Sequence, residues 1–132
     1  MFYRVSLLVP ANTLITAPVT VDIPAVRGVV YRVSLQFPPG CAGLVHVNLW
    51  HVEQQLWPSN MGEFFSADGY TIGFQEEYQL VEVPYVLRME GYSDDDTYAH
   101  RISARVGVRK LEAGRLPAWM YRLVGRTWEG QY

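Results

Sequence analysis

Gly28 to His51, GVVYRVSLQFPPGCAGLVHVNLWH, is the stretch whose reading decides the fold. In its first half Tyr31, Val33, Leu35 and Phe37 alternate with Arg32, Ser34 and Gln36; in its second half Val45, Val47 and Leu49 alternate with His46, Asn48 and Trp50. A period of two puts successive side chains on opposite faces of an extended chain, so each half reads as a strand with one apolar face to pack. Between them stand Pro38, Pro39, Gly40 and Gly43. Proline removes a ladder donor and glycine tolerates left-handed backbone, so the first strand must stop there and the chain must turn. The expectation is a central β-hairpin with Val33, Leu35, Phe37, Val45, Val47 and Leu49 in the core.

The same period extends to both sides. Phe2 to Val9 sets Tyr3, Val5, Leu7 and Val9 against Arg4, Ser6 and Leu8 until Pro10, with Asn12 to Thr16 a candidate continuation. Val19, Val21 and Ile23 alternate between Pro18 and Pro24. Downstream, Gln54 to Trp57 reads as a short returning strand, and Pro58 to Gly69 as a long surface loop pinned by Phe64 and Phe65. Tyr70 to Phe74 and Tyr78 to Val83 read as two short strands flanking an acidic corner at Gln75, Glu76 and Glu77. Tyr85, Leu87 and Met89 resume the alternation, and Gly91 to Thr97, GYSDDDT, reads as a hairpin loop with a solvated tip. The last strand, about Tyr98 to Arg109, points Ile102, Ala104, Val106 and Val108 inward and Arg101, Ser103, Arg105 and Arg109 outward.

Short strands at close spacing with no helical period between them predict an all-β, antiparallel β-sandwich over residues 1–110, jelly-roll-like, with an immunoglobulin-like sandwich or a closed barrel as alternatives. The tryptophan packed on two cysteines that marks antibody domains is missing. Residues 111–132 follow another rule, because Leu116, Trp119, Met120, Leu123 and Val124 recur at intervals of three and four. That stripe predicts a short amphipathic C-terminal helix, opened by Pro117, closed by Gly125 and followed by an arm carrying Trp128. A helix that short is marginal in water, so the stripe and Trp128 are candidate interface residues, against the sandwich itself or a neighbouring subunit.

A chain of 132 residues suits one domain. Its net charge of −2 provides no bulk argument for a nucleic-acid partner or an anionic membrane. The apolar start is broken by Arg4 and Ser6, unlike a secretory signal. A single Cys41 excludes an intrachain disulfide and a cysteine zinc cluster, leaving a packing role beside the turn. Lys110 is the one lysine beside ten arginines, a bias towards the cation enriched at protein interfaces.

Tests for chemistry are weak. Asp94, Asp95 and Asp96 are hard oxygen donors for Ca²⁺, but their spacing is not that of an EF-hand. His46, His51 and His100 have no metal-ligand spacing and read as surface or hydrogen-bonded histidines. There is no GxSxG elbow or phosphate-cradling glycine loop, and the adjacent Glu76 and Glu77 would point to opposite faces of a strand. Neither an enzyme nor a cofactor is expected. Trp50, Trp57 and Tyr92, together with Tyr98, are candidate ligand or contact aromatics, since exposed rings suit sugar faces.

Two segments, FPPGCAGLVHVNLWHVEQQLWPSNMGEFFSADG (37–69) and DDDTYAHRISARVGV (94–108), resemble small all-β proteins encoded among the structural genes of tailed bacteriophages. The resemblance spans roughly Val29 to Val108 and rests on the PPG turn, the LWPSN corner and the DDDTY turn; the N-terminal strand and the aromatic tail lie outside it. It implies a non-enzymatic virion component, such as a capsid decoration protein or a tail or collar subunit. Its partners would be itself, as a homo-oligomer, and other virion proteins. A carbohydrate-binding β-sandwich module is the alternative.

Overall fold

The structure is a computed structural model that describes residues 1–110. Its strands are β1 (Phe2–Val9), β2 (Val19–Pro24), β3 (Gly28–Phe37), β4 (Val45–His51), β5 (Gln54–Trp57), β6 (Tyr70–Leu80), β7 (Val86–Ser93) and β8 (His100–Lys110). The antiparallel pairs are nested: β4 with β5, β3 with β6, β2 with β7 and β1 with β8. Nested pairs amount to one long ribbon folded back at β4–β5, and coiling that ribbon sends alternate rungs to opposite layers. Pairs β3–β8 and β4–β7 then close each layer. The result is a front sheet, β1-β8-β3-β6, and a back sheet, β2-β7-β4-β5. This is a jelly-roll sandwich, with two separate sheets and open edges at β1, β6, β2 and β5.

The core lies between the sheets. Val33, Leu35, Phe37, Ile102, Ala104 and Val106 from the front meet Val45, Val47, Leu49, Leu87, Met89 and Ile23 from the back, all at 0 or 1% exposure. The strands' period supplies these residues, and burying each large one contributes roughly 1.5–3 kcal/mol. The layers approach closely at Gly91, where an added Cβ would lie 3.1 Å from Leu7 Cδ2 and 3.2 Å from Val9 Cγ2 of the opposite sheet.

Several expectations need correction. Strands β3 and β4 do not form a hairpin, because they lie in different sheets and Pro38 to Leu44 arches across the end of the sandwich. β7 and β8 are likewise joined by an arch, and the acidic turn is not a hairpin tip. Alternation dictates which side chains are buried, and they can be buried by facing one another across the core as well as by lining one sheet. Gln75, Glu76 and Glu77 form no corner; β6 is continuous through them. As an edge strand it turns Gln75, Glu77 and Gln79 to solvent while Phe74, Tyr78 and Leu80 face in, so charge does not interrupt it. Opposite that point Val30 pairs with Tyr78 but Arg32 with Gln75, an irregularity that also shifts β3 against β8. Tyr31 therefore leaves the inward face, its ring against Phe2 at 5.9 Å and under the Arg109 guanidinium. Residues 12–16 form turns rather than more of β1.

Candidate functional site

Asp95 organises the polar end of the sandwich. Its Oδ1 accepts from the Thr97 N–H at 2.8 Å and the Tyr98 N–H at 3.2 Å, and its Oδ2 from His100 Nε2 at 2.7 Å. The pair is buried, at 8% exposure for Asp95 and 9% for His100. The hydrogen bond from His100, then those from Thr97 and Tyr98, hold the Asp95 carboxyl below the usual carboxylate range. The Asn12 N–H donates to the Asp95 carbonyl, the Ser93 N–H to Thr13 and the Asp94 N–H to Leu44. One carboxylate thus anchors a turn to which the β1–β2 connection and the β3–β4 arch are also tied. The acidic turn read as a solvated tip is therefore a structural joint at Asp95, while Asp94 and Asp96 remain exposed.

Cys41 sits near this joint, fully buried. Burial first, then the charges of Asp68 and Asp95, push its thiol up, and it makes no hydrogen bond to an imidazole among the described residues. A thiol without a base and with a raised pKa is a packing group.

A second joint is the Gln55 amide, a residue the sequence reading passed over. Its Nε2 donates to the carbonyls of Pro58 at 2.7 Å, Asn60 at 3.1 Å and Glu63 at 3.2 Å, and its Oε1 accepts from the Gly62 N–H at 3.1 Å. The loop from Pro58 then returns to β4, where Phe65 and Val47 exchange backbone hydrogen bonds. Phe64 and Phe65 do pin this loop, Phe64 edge-on to Tyr92 and Phe65 beside Phe74. The loop is why Asn48, expected on an open face, is buried; its Oδ1 accepts from Trp50 Nε1 at 2.9 Å. A glutamine following a tight turn and preceding a structureless segment was the available signal.

His51 joins the sheets. Its Nε2 lies 3.0 Å from the Pro84 carbonyl and 3.2 Å from that of Glu82, which can only accept, so this nitrogen carries the proton. Nδ1 then accepts from the Tyr78 hydroxyl at 2.6 Å. Burial, assisted by Glu82, raises the Tyr78 pKa and keeps that hydroxyl a donor.

The three aspartates do not converge: Asp94 bonds His46 at 3.0 Å, Asp95 binds the turn and His100, and Asp96 accepts from the Thr97 hydroxyl. No cluster of three potential metal ligands occurs among the described residues. Trp57 belongs to the core at 5% exposure, against Phe74 and Tyr78. Trp50 is half-buried beneath Arg88, Tyr92 is held between the stacked His46 ring and Phe64, and Tyr98 is exposed. These four rings are not brought together into one platform. Leu116, Trp119, Met120, Leu123, Val124 and Trp128 lie outside the described residues.

The broad outer faces carry opposite charge. On the front sheet Arg4, Arg32, Arg101, Arg105 and Arg109 point outward with Ser34, Gln36 and Ser103 between them. Arg109 pairs with Glu77, whereas the other four make no ion pair among the described residues. Arg4 and Arg105 are direct cross-strand partners, an arrangement that costs stability through like-charge repulsion. On the back sheet Asp22, Glu90 and Asp94 stand with Glu63 of the covering loop against Arg88, which bonds Glu90 at 2.7 Å.

No protein-family model and no curated protein matches the chain. Among solved structures, a chain of the tomato aspermy virus crystal structure is similar at a TM-score of 0.40 and 15% identity, over 88% of this chain and 82% of that one. A likeness at that level carries no argument; the jelly-roll assignment rests on the strand pairing.

Proposed function

We propose that this chain is a structural assembly subunit of a virion, of the tailed-bacteriophage kind and such as a capsid decoration protein, acting by protein contact rather than by chemistry. One observation supports the reading: the three motifs behind the phage resemblance lie in, or open, connections between strands, and each is held by a hydrogen bond from within the fold. The PPG turn is tied by the Gly40 N–H to Asp68, the LWPSN corner is gathered by Gln55, and the DDDTY turn by Asp95. Such motifs specify a scaffold. The partners are further copies and other virion proteins, and the location is the virion after synthesis in the host cytoplasm. The carbohydrate-binding alternative has less support, since its aromatics are dispersed and Trp57 is in the core.

The stripe Leu116, Trp119, Met120, Leu123, Val124 and the arm residue Trp128 are the proposed attachment element. Deleting residues 115–132 should leave the sandwich folded and weaken self-association, read by light scattering, or binding to the parent particle. Full association together with a lowered melting temperature would make the tail an intrachain cap and overturn that role.

A further inference from the structure

The charge segregation of the two faces is unexplained by folding. Arg4 and Arg105 oppose each other across β1–β8, with Arg32 on the neighbouring strand, around a shallow groove that also takes in Phe2 and Ser34. Repulsion there costs stability unless an anionic surface covers it. The sequence of residues 111–132 does not offer that charge, with Arg115, Arg122 and Arg126 against Glu112 and Glu129. The back face does: Asp22, Glu63, Glu90 and Asp94 surround Arg88 and the half-buried Trp50 and Tyr92 rings.

From this juxtaposition we infer that the arginine face of one copy docks on the acidic face of the next, front to back. The inference deepens the self-assembly reading above and rests on it. Each copy presents one face of each kind, so the contact is heterologous and propagates into a ring or a stack rather than closing as a symmetric dimer. Four strands at about 4.8 Å spacing and eight residues at about 3.3 Å make a face of roughly 500 Å². Two such faces bury about 1,000 Å² in total, the lower limit for a specific interface. A contact that small is individually weak, depends on its charges, and gains strength from repetition.

The test uses the full chain and sedimentation velocity. Raising the salt from about 50 to about 500 mM shortens the screening length several-fold and should weaken association at least tenfold. Arg4→Glu with Arg105→Glu cancels the net positive charge of the front face, setting two glutamates against Arg32 and Arg101; Asp22→Arg with Glu63→Arg turns the back face net positive. Each double variant should lose self-association at least tenfold, and an equimolar mixture of the two should recover it by alternating. Arg4→Gln with Arg105→Gln, milder to the fold, should give a partial loss, and circular dichroism checks that every variant is folded. If the unaltered chain associates and neither reversal changes it, assembly uses another surface and the docking is wrong while the assembly reading stands. Failure of the mixture to recover refutes the pairing of these faces. If the front reversal abolishes binding of a fluorescent oligothymidylate but leaves self-association unchanged, the arginine face serves a nucleic acid and the inference falls. Absence of self-association at every salt concentration overturns both readings.

Discussion

Replacing Gln55 by Met, which keeps its length and removes both polar ends, isolates the energy of the loop joint. The amide nitrogen has two hydrogens to distribute among the carbonyls of Pro58, Asn60 and Glu63, and the oxygen accepts from Gly62 and, at 3.4 Å, from Asn48. About four hydrogen bonds are lost at a net of roughly 0.5–1.5 kcal/mol each. Asn60, Gly62 and Glu63 are exposed, so their freed backbone groups can rehydrate once the loop loosens and the full burial penalty does not apply. The expected cost is about 2–6 kcal/mol. Urea denaturation should show it as a lower midpoint at unchanged slope, and the Gly62 amide should exchange hydrogen faster. Gln55→Glu adds a sign. A carboxylate facing three carbonyl oxygens has a raised folded-state pKa, so this variant is least impaired below the unfolded value near 4.3, and its deficit relative to the parent grows as pH rises towards the folded value. A loss below about 0.5 kcal/mol for Gln55→Met, the ordinary surface value, would refute the claim that this side chain holds the loop.

Leu35→Ala and Leu49→Ala each empty a fully buried site and should cost about 2–5 kcal/mol in denaturant; a near-neutral result would place these faces outside the core. The depressed Asp95 carboxyl adds stability that is fully present above its ordinary pKa near 3.9 and is lost as pH falls through the folded value. Melting temperatures between pH 5 and pH 2 (about the range of carboxylate titration) should therefore drop less steeply for Asp95→Asn than for the parent. Val52 turns the β4–β5 hairpin at φ 57°, a left-handed conformation costly for a β-branched residue, and it is exposed. Val52→Gly should raise stability by about 0.5–1 kcal/mol, and a lower melting temperature would contradict the strain. Gly91→Ala should destabilise, because its Cβ would press on Leu7 and Val9 across the core and on Val47 of the neighbouring strand; an unchanged melting temperature would mean that the sheets have room to separate there.

Alternation is a local property of the chain, and it was sufficient to identify the inward faces of β3, β4 and β8 and the all-β class, while Pro10 and Pro38 marked where β1 and β3 stop. Those features depend only on which neighbouring side chains prefer water. Pairing is not local. Pro38 to Leu44 looks the same whether it closes a hairpin or carries the chain to the other sheet, and the nested ribbon alone puts β3 beside β6 and β8 while sending β4 to β5 and β7. Glu77 resembled part of a break because its charge is visible in the sequence, whereas the edge position that lets an outward charge stay solvated exists only after β6 has paired on one side. Asp95 and Gln55 were hidden for the same reason: one Asp among three, and one Gln of two in a short strand, gain their roles from backbone groups that folding brings to them. The opposed charge of the two faces is the clearest case, because a net charge of −2 sums over the chain, whereas the separation of arginines from carboxylates is made by which strands share a sheet.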